Sequence, residues 1–237
     1  LIIAADGGTR HALAAGVIPH VVIGDLDSLS PADLAQVEAA CARVIRFSPR
    51  KDETDLELAL LHAARAGVSE IVVLAALGGR LDQTIANVLL LSLPELDGLD
   101  VRIVEERQKV FLIHSAATIT GRPGDTVSLI PLGGDAVGVT ADGLEWPLCE
   151  ETLRFGPARG VSNVLTAEQA RVRVRRGMLL CVVTRAQMCR GELEQPHQHQ
   201  HREPRAQMCR GELEQPHQHQ HRKPRAQMCR GEPLRSP

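Results

Sequence analysis

Aromatic residues are almost missing: among 237 residues there are three Phe, one Trp and no Tyr. A core made from this chain must be aliphatic, and the solitary Trp146 stands out. Charge of one sign is also lacking. With 27 Lys+Arg against 29 Asp+Glu the net charge is −2, so nothing general points to nucleic acid. No apolar run approaches the ~20 residues that a membrane-spanning helix needs. No basic segment precedes an apolar one at the start, so a secretion signal is not read. None of the six Cys stands in a CxxC spacing. This pattern favours a reducing compartment, the cytoplasm, over a disulfide framework. Neither GxxxxGK[ST] nor GxGxxG occurs, which removes a P-loop and a dinucleotide fingerprint. What remains is ordinary for a soluble globular protein, at 43% hydrophobic and 24% charged residues.

The end of the chain repeats itself. RAQMCRGELEQPHQHQHREP occupies 185–204, returns at 205–224 with Lys223 in place of Glu203, and starts again at Arg225. Its apolar residues are too few to bury a stacked face, so 185–237 reads as a disordered, His-rich repeat tail. The alternating histidines have affinity for Ni, Cu or Zn, an adventitious property of a tandem repeat. The tail carries ten basic and six acidic residues, the rest of the chain 17 and 23. The globular part is therefore acidic, and its acids are clustered.

Residues 1–110 alternate between two periods. Apolar runs at 1–5, 21–23, 44–47, 70–74 and 101–104 read as buried strands. Helical spacing recurs at 9–15, from Pro31, at 54–66 and at 82–93, with Ser30 as an N-cap and Pro31 in the first turn. This alternation predicts an α/β domain, a Rossmann-like parallel sheet covered by helices. Ligands of such sheets bind beyond the carboxyl ends of the strands. Acids stand there: Asp6 after the first strand, Asp25 and Asp27 after the second, Asp52 to Asp55 after the third and Asp82 after the fourth. One such Asp is a turn residue by default; four in succession suggest a cation site. Mg²⁺ prefers a few carboxylates plus substrate phosphates. Gly7, Gly8, Gly24, Gly78 and Gly79 let backbone approach a phosphate, and Arg80 offers a bidentate grip. The residues thus point to Mg²⁺-dependent handling of a phosphorylated ligand. From 111 to 184 the helical period vanishes. Short β-like runs at 126–130, 137–140, 172–174 and elsewhere are separated by turn formers such as Gly133-Gly134-Asp135. They predict a small all-β sandwich.

Seven motifs follow in order: AADGG (4–8), GDLDS (24–28), KDETDLELAL (51–60), GGRLDQTIANVLLL (78–91), GLEWPL (143–148), ETLRFG (151–156) and GVSN (160–163). The series resembles the thiamine pyrophosphokinase family over nearly all of 1–184. The resemblance implies transfer of a diphosphoryl group from ATP to the thiamine hydroxyl, in a homodimer whose active site is shared between chains. By motif, it implies that Asp25, Asp27 and Asp55 hold Mg²⁺ and phosphate, and that Asp27, Asp55 and Asp82 serve catalysis. Asp27 or Asp82 would take the hydroxyl proton. Asp6, Arg80 and Gln83 would lie on the ATP side, Gln83 standing where bacterial relatives often have His. Trp146, Ser162 and Asn163 would line the thiamine side, where a Trp face suits the thiazolium cation. Relatives carry a strand and helix ahead of the 1–5 strand. Without these the sheet is expected to expose an edge, as in a fragment. Two further readings remain at this stage. One is a phosphatase of the haloacid dehalogenase type, with Asp25 of GDLDS as nucleophile. The other is a non-catalytic relic that binds nucleotide or thiamine.

Overall fold

The computed structural model of the chain describes residues 1–187. The expected tail lies outside the described residues except for its first three. Of these, the Arg185 N–H donates to the Arg107 carbonyl at 3.0 Å and the Ala186 N–H to the Asp125 carboxylate at 2.8 Å. The folded body therefore extends past 184.

Strands β1 (Ile3–Ala5), β2 (Val21–Gly24) and β3 (Arg43–Arg46) form a parallel sheet in that order. Helices α1 (Gly8–Ala14) and α2 (Pro31–Ala39) connect them. The start of α2 obeys its sequence: Ser30 Oγ accepts from the Asp33 N–H while the Asp33 carboxylate accepts from the Ser30 N–H. These reciprocal bonds satisfy two amides that the helix leaves orphaned. Helix α3 (Asp55–Arg65) is capped by Thr54, whose Oγ1 accepts from the Glu57 N–H. Then come β4 (Glu70–Leu74), α4 (Leu81–Leu89) and β5 (Asp100–Glu105), with β5 parallel to β4.

The fold is mixed α/β, but its parallel part is in two pieces instead of one sheet. β4 and β5 do not pair with β1–β3. They begin a nine-stranded sheet that continues into β6 (Gln108–Ile113) and β12 (Arg176–Thr184). That sheet crosses residue 110 without interruption, because β5 and β6 form an antiparallel hairpin. Between β1 and β4 runs a cavity of about 880 Å³, lined by both strands and by α3. Among the described residues neither strand has a partner on that side. Helix α3 spans the gap: it packs on β1 and β2, and its Leu60 joins Val73 of β4 in one apolar cluster. Helix α4 has no buried residue, and Leu81, Ile85 and Leu89 are exposed along it.

The second half adds β7 (Ala116–Thr120), β8 (Thr126–Asp142), β9 (Leu148–Leu153), β10 (Asn163–Val164) and β11 (Gln169–Arg173). The runs at 126–130 and 137–140, expected as separate strands, are one 17-residue strand. Gly133 and Gly134, at φ 73° and 153°, bend it opposite a register slip between Arg176 and Met178, so the chain kinks instead of reversing. One end of β8 pairs with β12, the other with β11 and β9. A single strand thus serves both layers, and the sheet curls round one core. That core is aliphatic as expected: Ile119, Leu129, Val139, Leu153 and Leu179 are at most 1% exposed. Phe47, Phe155 and Trp146 are exposed. Among the described residues no helix is long and apolar enough to cross a membrane.

Cys181 sits in this core, where burial pushes its thiol up to about 12 against a small opposing pull from Lys109. A buried neutral thiol is inert, because the thiolate is the nucleophile. Alkylation of the native protein followed by peptide mapping is expected to modify exposed Cys41 and Cys149 and spare Cys181 until denaturant is added. Labelling of Cys181 under native conditions would show that the β core opens.

Candidate active site

Three loops at the carboxyl ends of β1, β2 and β3 build the site. After β1 the chain turns at Asp6, which adopts φ 37° while its N–H still bonds Ile23 O at 2.8 Å. The carboxylate is thereby held against the end of β2. There Gly24 takes φ 151°, and a Cβ on it would stand 2.9 Å from Asp6 Cβ and 3.1 Å from Asp55 Cγ. Asp6 and Asp55 can flank the β2 terminus only because position 24 has no side chain.

The GDLDS loop does not run on extended. The Asp27 N–H donates to Asp25 Oδ1 at 3.2 Å, an Asx-type turn, and Leu26 adopts φ 66°. Leu26 drops into the small core with Val22 and Val37. Asp25 and Asp27 are left on the side facing Asp6, and Ser28 Oγ donates to Asp27 Oδ1 at 3.2 Å. Carboxylate oxygens of Asp6, Asp25 and Asp27 come within 4.8 Å of one another.

Asp55, in the first turn of α3, is engaged by a residue that the sequence reading passed over. Lys51 places its ammonium 2.9 Å from Asp55 Oδ1, one helical turn earlier, with 13% of the lysine side chain exposed. The Asp55 carboxylate holds this ammonium above the usual lysine range against partial desolvation, and Asp25 and Asp6 add to the rise. The usable signal was the four-residue spacing of Lys and Asp in KDETD. Asp6 Oδ1, by contrast, is buried without a hydrogen-bond partner. Several hard oxygens, one of them orphaned, match what a divalent cation of the Mg²⁺ type requires.

Not every candidate joins this group. Asp82 pairs with Arg80 at 2.5 Å, with 64% and 73% of the two side chains exposed. The Arg80 guanidinium holds the Asp82 carboxyl below its ordinary range. Gln83 lines the same cavity as Asp6, Lys51 and Asp55. The three thiamine-side candidates form their own constellation in the β half. Asn163 is buried: its Oδ1 accepts from the Trp146 N–H at 3.0 Å and its Nδ2 donates to the Trp146 carbonyl at 2.7 Å. Its amide thus holds the Trp146 backbone, with Oδ1 also accepting from the Val164 N–H at 2.9 Å, while Trp146 is 56% exposed. Ser162, at φ 61°, is fixed by its N–H donating to Ser128 Oγ at 3.0 Å.

Comparison with known proteins covers both halves. Residues 1–103 match the catalytic domain of thiamin pyrophosphokinase, and residues 114–179 match its vitamin B1 binding domain. The thiamine pyrophosphokinase of Bacillus subtilis is 26% identical over 184 residues, 77% of this chain and 86% of that protein. Its crystal structure superposes with a TM-score of 0.71 over the same shares. A crystal structure of the Geobacillus thermodenitrificans protein gives a TM-score of 0.69 at 26% identity, covering 79% of this chain and 87% of that one. Thiamine pyrophosphokinase 1 of rice is 27% identical over 165 residues, and the match spans 62% of its length. With two successive domains matched in order and the same fold beneath them, this chain belongs to the thiamin pyrophosphokinase family.

Proposed function

We propose that the chain is a thiamine diphosphokinase, transferring the diphosphoryl group of ATP to the thiamine hydroxyl and releasing AMP. The observation that carries this reading is the convergence of Asp6, Asp25, Asp27 and Asp55 from three loops at one end of a parallel sheet. That is the position where a Rossmann-like domain binds nucleotide. Both family matches support it over a dehalogenase-type phosphatase or a non-catalytic relic.

Asp6, Asp25 and Asp27 would hold Mg²⁺, with Asp55 at their edge. Bound there, the ion neutralises phosphate charge, the main demand of phosphoryl transfer. The residues do the rest. Arg80 and Gln83 stand on the ATP side, the guanidinium suited to a bidentate grip on phosphate oxygens. Asp27 or Asp82 would take the hydroxyl proton; the Arg80 guanidinium holds the Asp82 carboxyl below its ordinary range, which makes Asp82 a weaker proton acceptor than a free carboxylate. Trp146 offers its exposed face to the thiazolium, with Ser162 beside it and Asn163 as the bracket that positions it. The cluster and the Trp146 constellation come from different halves of the chain, which suits a site completed by the second subunit of a cytoplasmic homodimer.

Incubation of folded protein with ATP, Mg²⁺ and thiamine is expected to yield AMP and thiamine diphosphate in equal amounts. Failure to form either product would overturn the assignment. Trp146→Ala is expected to raise KM for thiamine about tenfold with KM for ATP unchanged, the scale of one lost cation–π contact. Equal changes in both constants in steady-state kinetics would remove Trp146 from the thiamine pocket.

A further inference from the structure

Lys51 is a cation set among anions. Its ammonium meets Asp55 at 2.9 Å, and its surroundings include Asp25 and Asp6 as well. Four carboxylates gathered from three loops repel one another, and burial of the Asp6 oxygen sharpens that repulsion. A ligand-free protein needs something to offset it. Lys51 is placed to do so: it lies on the loop before α3, within one turn of Asp55, with its stem sheltered and its charge directed into the cluster.

We propose that Lys51 is the resident counter-cation of the carboxylate cluster, holding the site assembled before a divalent ion arrives and competing with that ion for Asp55. Asp6, Asp25 and Asp27 then form an open three-oxygen set, while Asp55 is already engaged. An incoming divalent ion is repelled by the ammonium, so the site alone binds it weakly. Tight capture awaits a ligand that brings phosphate oxygens of its own. The inference rests on the diphosphokinase reading only for the identity of that ligand. The interplay of lysine and metal is a property of the cluster.

The test uses the full chain without nucleotide or thiamine. Mn²⁺, which shares the preference of Mg²⁺ for oxygen ligands, is titrated into metal-free wild type, Lys51→Met and Lys51→Arg, with free Mn²⁺ read by electron paramagnetic resonance. Thermal melts are recorded in EDTA. Lys51→Met is expected to bind Mn²⁺ at least about tenfold more tightly than wild type and to melt lower in EDTA. Lys51→Arg should resemble wild type in both. Should Lys51→Met unfold in EDTA and refold with Mn²⁺, the ion has taken over the role of the lysine, which also supports the proposal. Unchanged or weaker Mn²⁺ binding by Lys51→Met overturns it. So does a melting temperature in EDTA equal to that of wild type. Lys51→Gln, which keeps a polar contact to Asp55 without the charge, is read by the same criteria should Lys51→Met not fold at all. If neither wild type nor Lys51→Met binds Mn²⁺ even at millimolar concentration, the cation site falls, and with it the metal-dependent reading. Equal binding by wild type and Lys51→Met removes the lysine inference alone.

Discussion

An Asp25→Asn protein is expected to fold as the wild type does and to form AMP and thiamine diphosphate about a hundred- to a thousandfold more slowly, the usual scale for losing one electrostatic partner of a phosphate-type transition state. The substitution is chosen because it separates shape from charge. Asn retains a side-chain oxygen to accept the Asp27 N–H, the 3.2 Å bond that sets the GDLDS turn. Leu26 therefore stays in its small core. What disappears is one negative charge among carboxylates whose oxygens lie within 4.8 Å. Removing it relieves repulsion, so the melting temperature without metal should stay level or rise while the rate collapses. Initial rates paired with thermal melts check both halves of this expectation. A near-native rate would mean that the cluster is not the working centre, whatever the fold resembles.

The second large effect is expected at a position with no side chain. Gly24→Ala asks a residue at φ 151° to carry a Cβ that would stand 2.9 Å from Asp6 Cβ and 3.1 Å from Asp55 Cγ. The backbone strain alone costs about 1–3 kcal/mol, and the contacts push apart the two carboxylates that flank β2. Because Asp6 is held by its own N–H to Ile23 O, it has little room to retreat. The outcome should be a lower denaturation midpoint together with at least about a hundredfold loss of activity, since a displacement near 1 Å at a reacting centre carries a penalty of that order. Native values in urea denaturation and in the rate assay would show that the Asp6–Gly24–Asp55 contact is dispensable.

Much of this site was legible in the residues themselves. Asp6, Asp25, Asp27 and Asp55 stand after successive strands, and strand ends of an α/β sheet share one rim, so convergence followed from the pattern alone. Asp82 obeys the same pattern, yet it is not among the carboxylates whose oxygens come within 4.8 Å of one another. An Arg two residues earlier engages it, a local pairing that strand order cannot reveal. Lys51 escaped notice because its role depends on a helix start that turns Asp55 back toward it. Asn163 was read as a pocket residue; only the structure shows its buried amide bonded to the backbone of Trp146 and of Val164.

The sequence by itself determined the alternating strands and helices of the first half, that the core is aliphatic, and which acids crowd one rim. Those features follow from local period, capping and the inventory of side chains, all of them properties of neighbours along the chain. Tertiary structure alone decided that the parallel strands divide into a set of three and a set of two, because strand partnership depends on which edges meet in space. It also decided that Gly133 and Gly134 bend one long strand instead of ending it. And it brought a lysine into the carboxylate cluster, since the energy of a charge is set by its distance to every other charge and not by its place in the sequence.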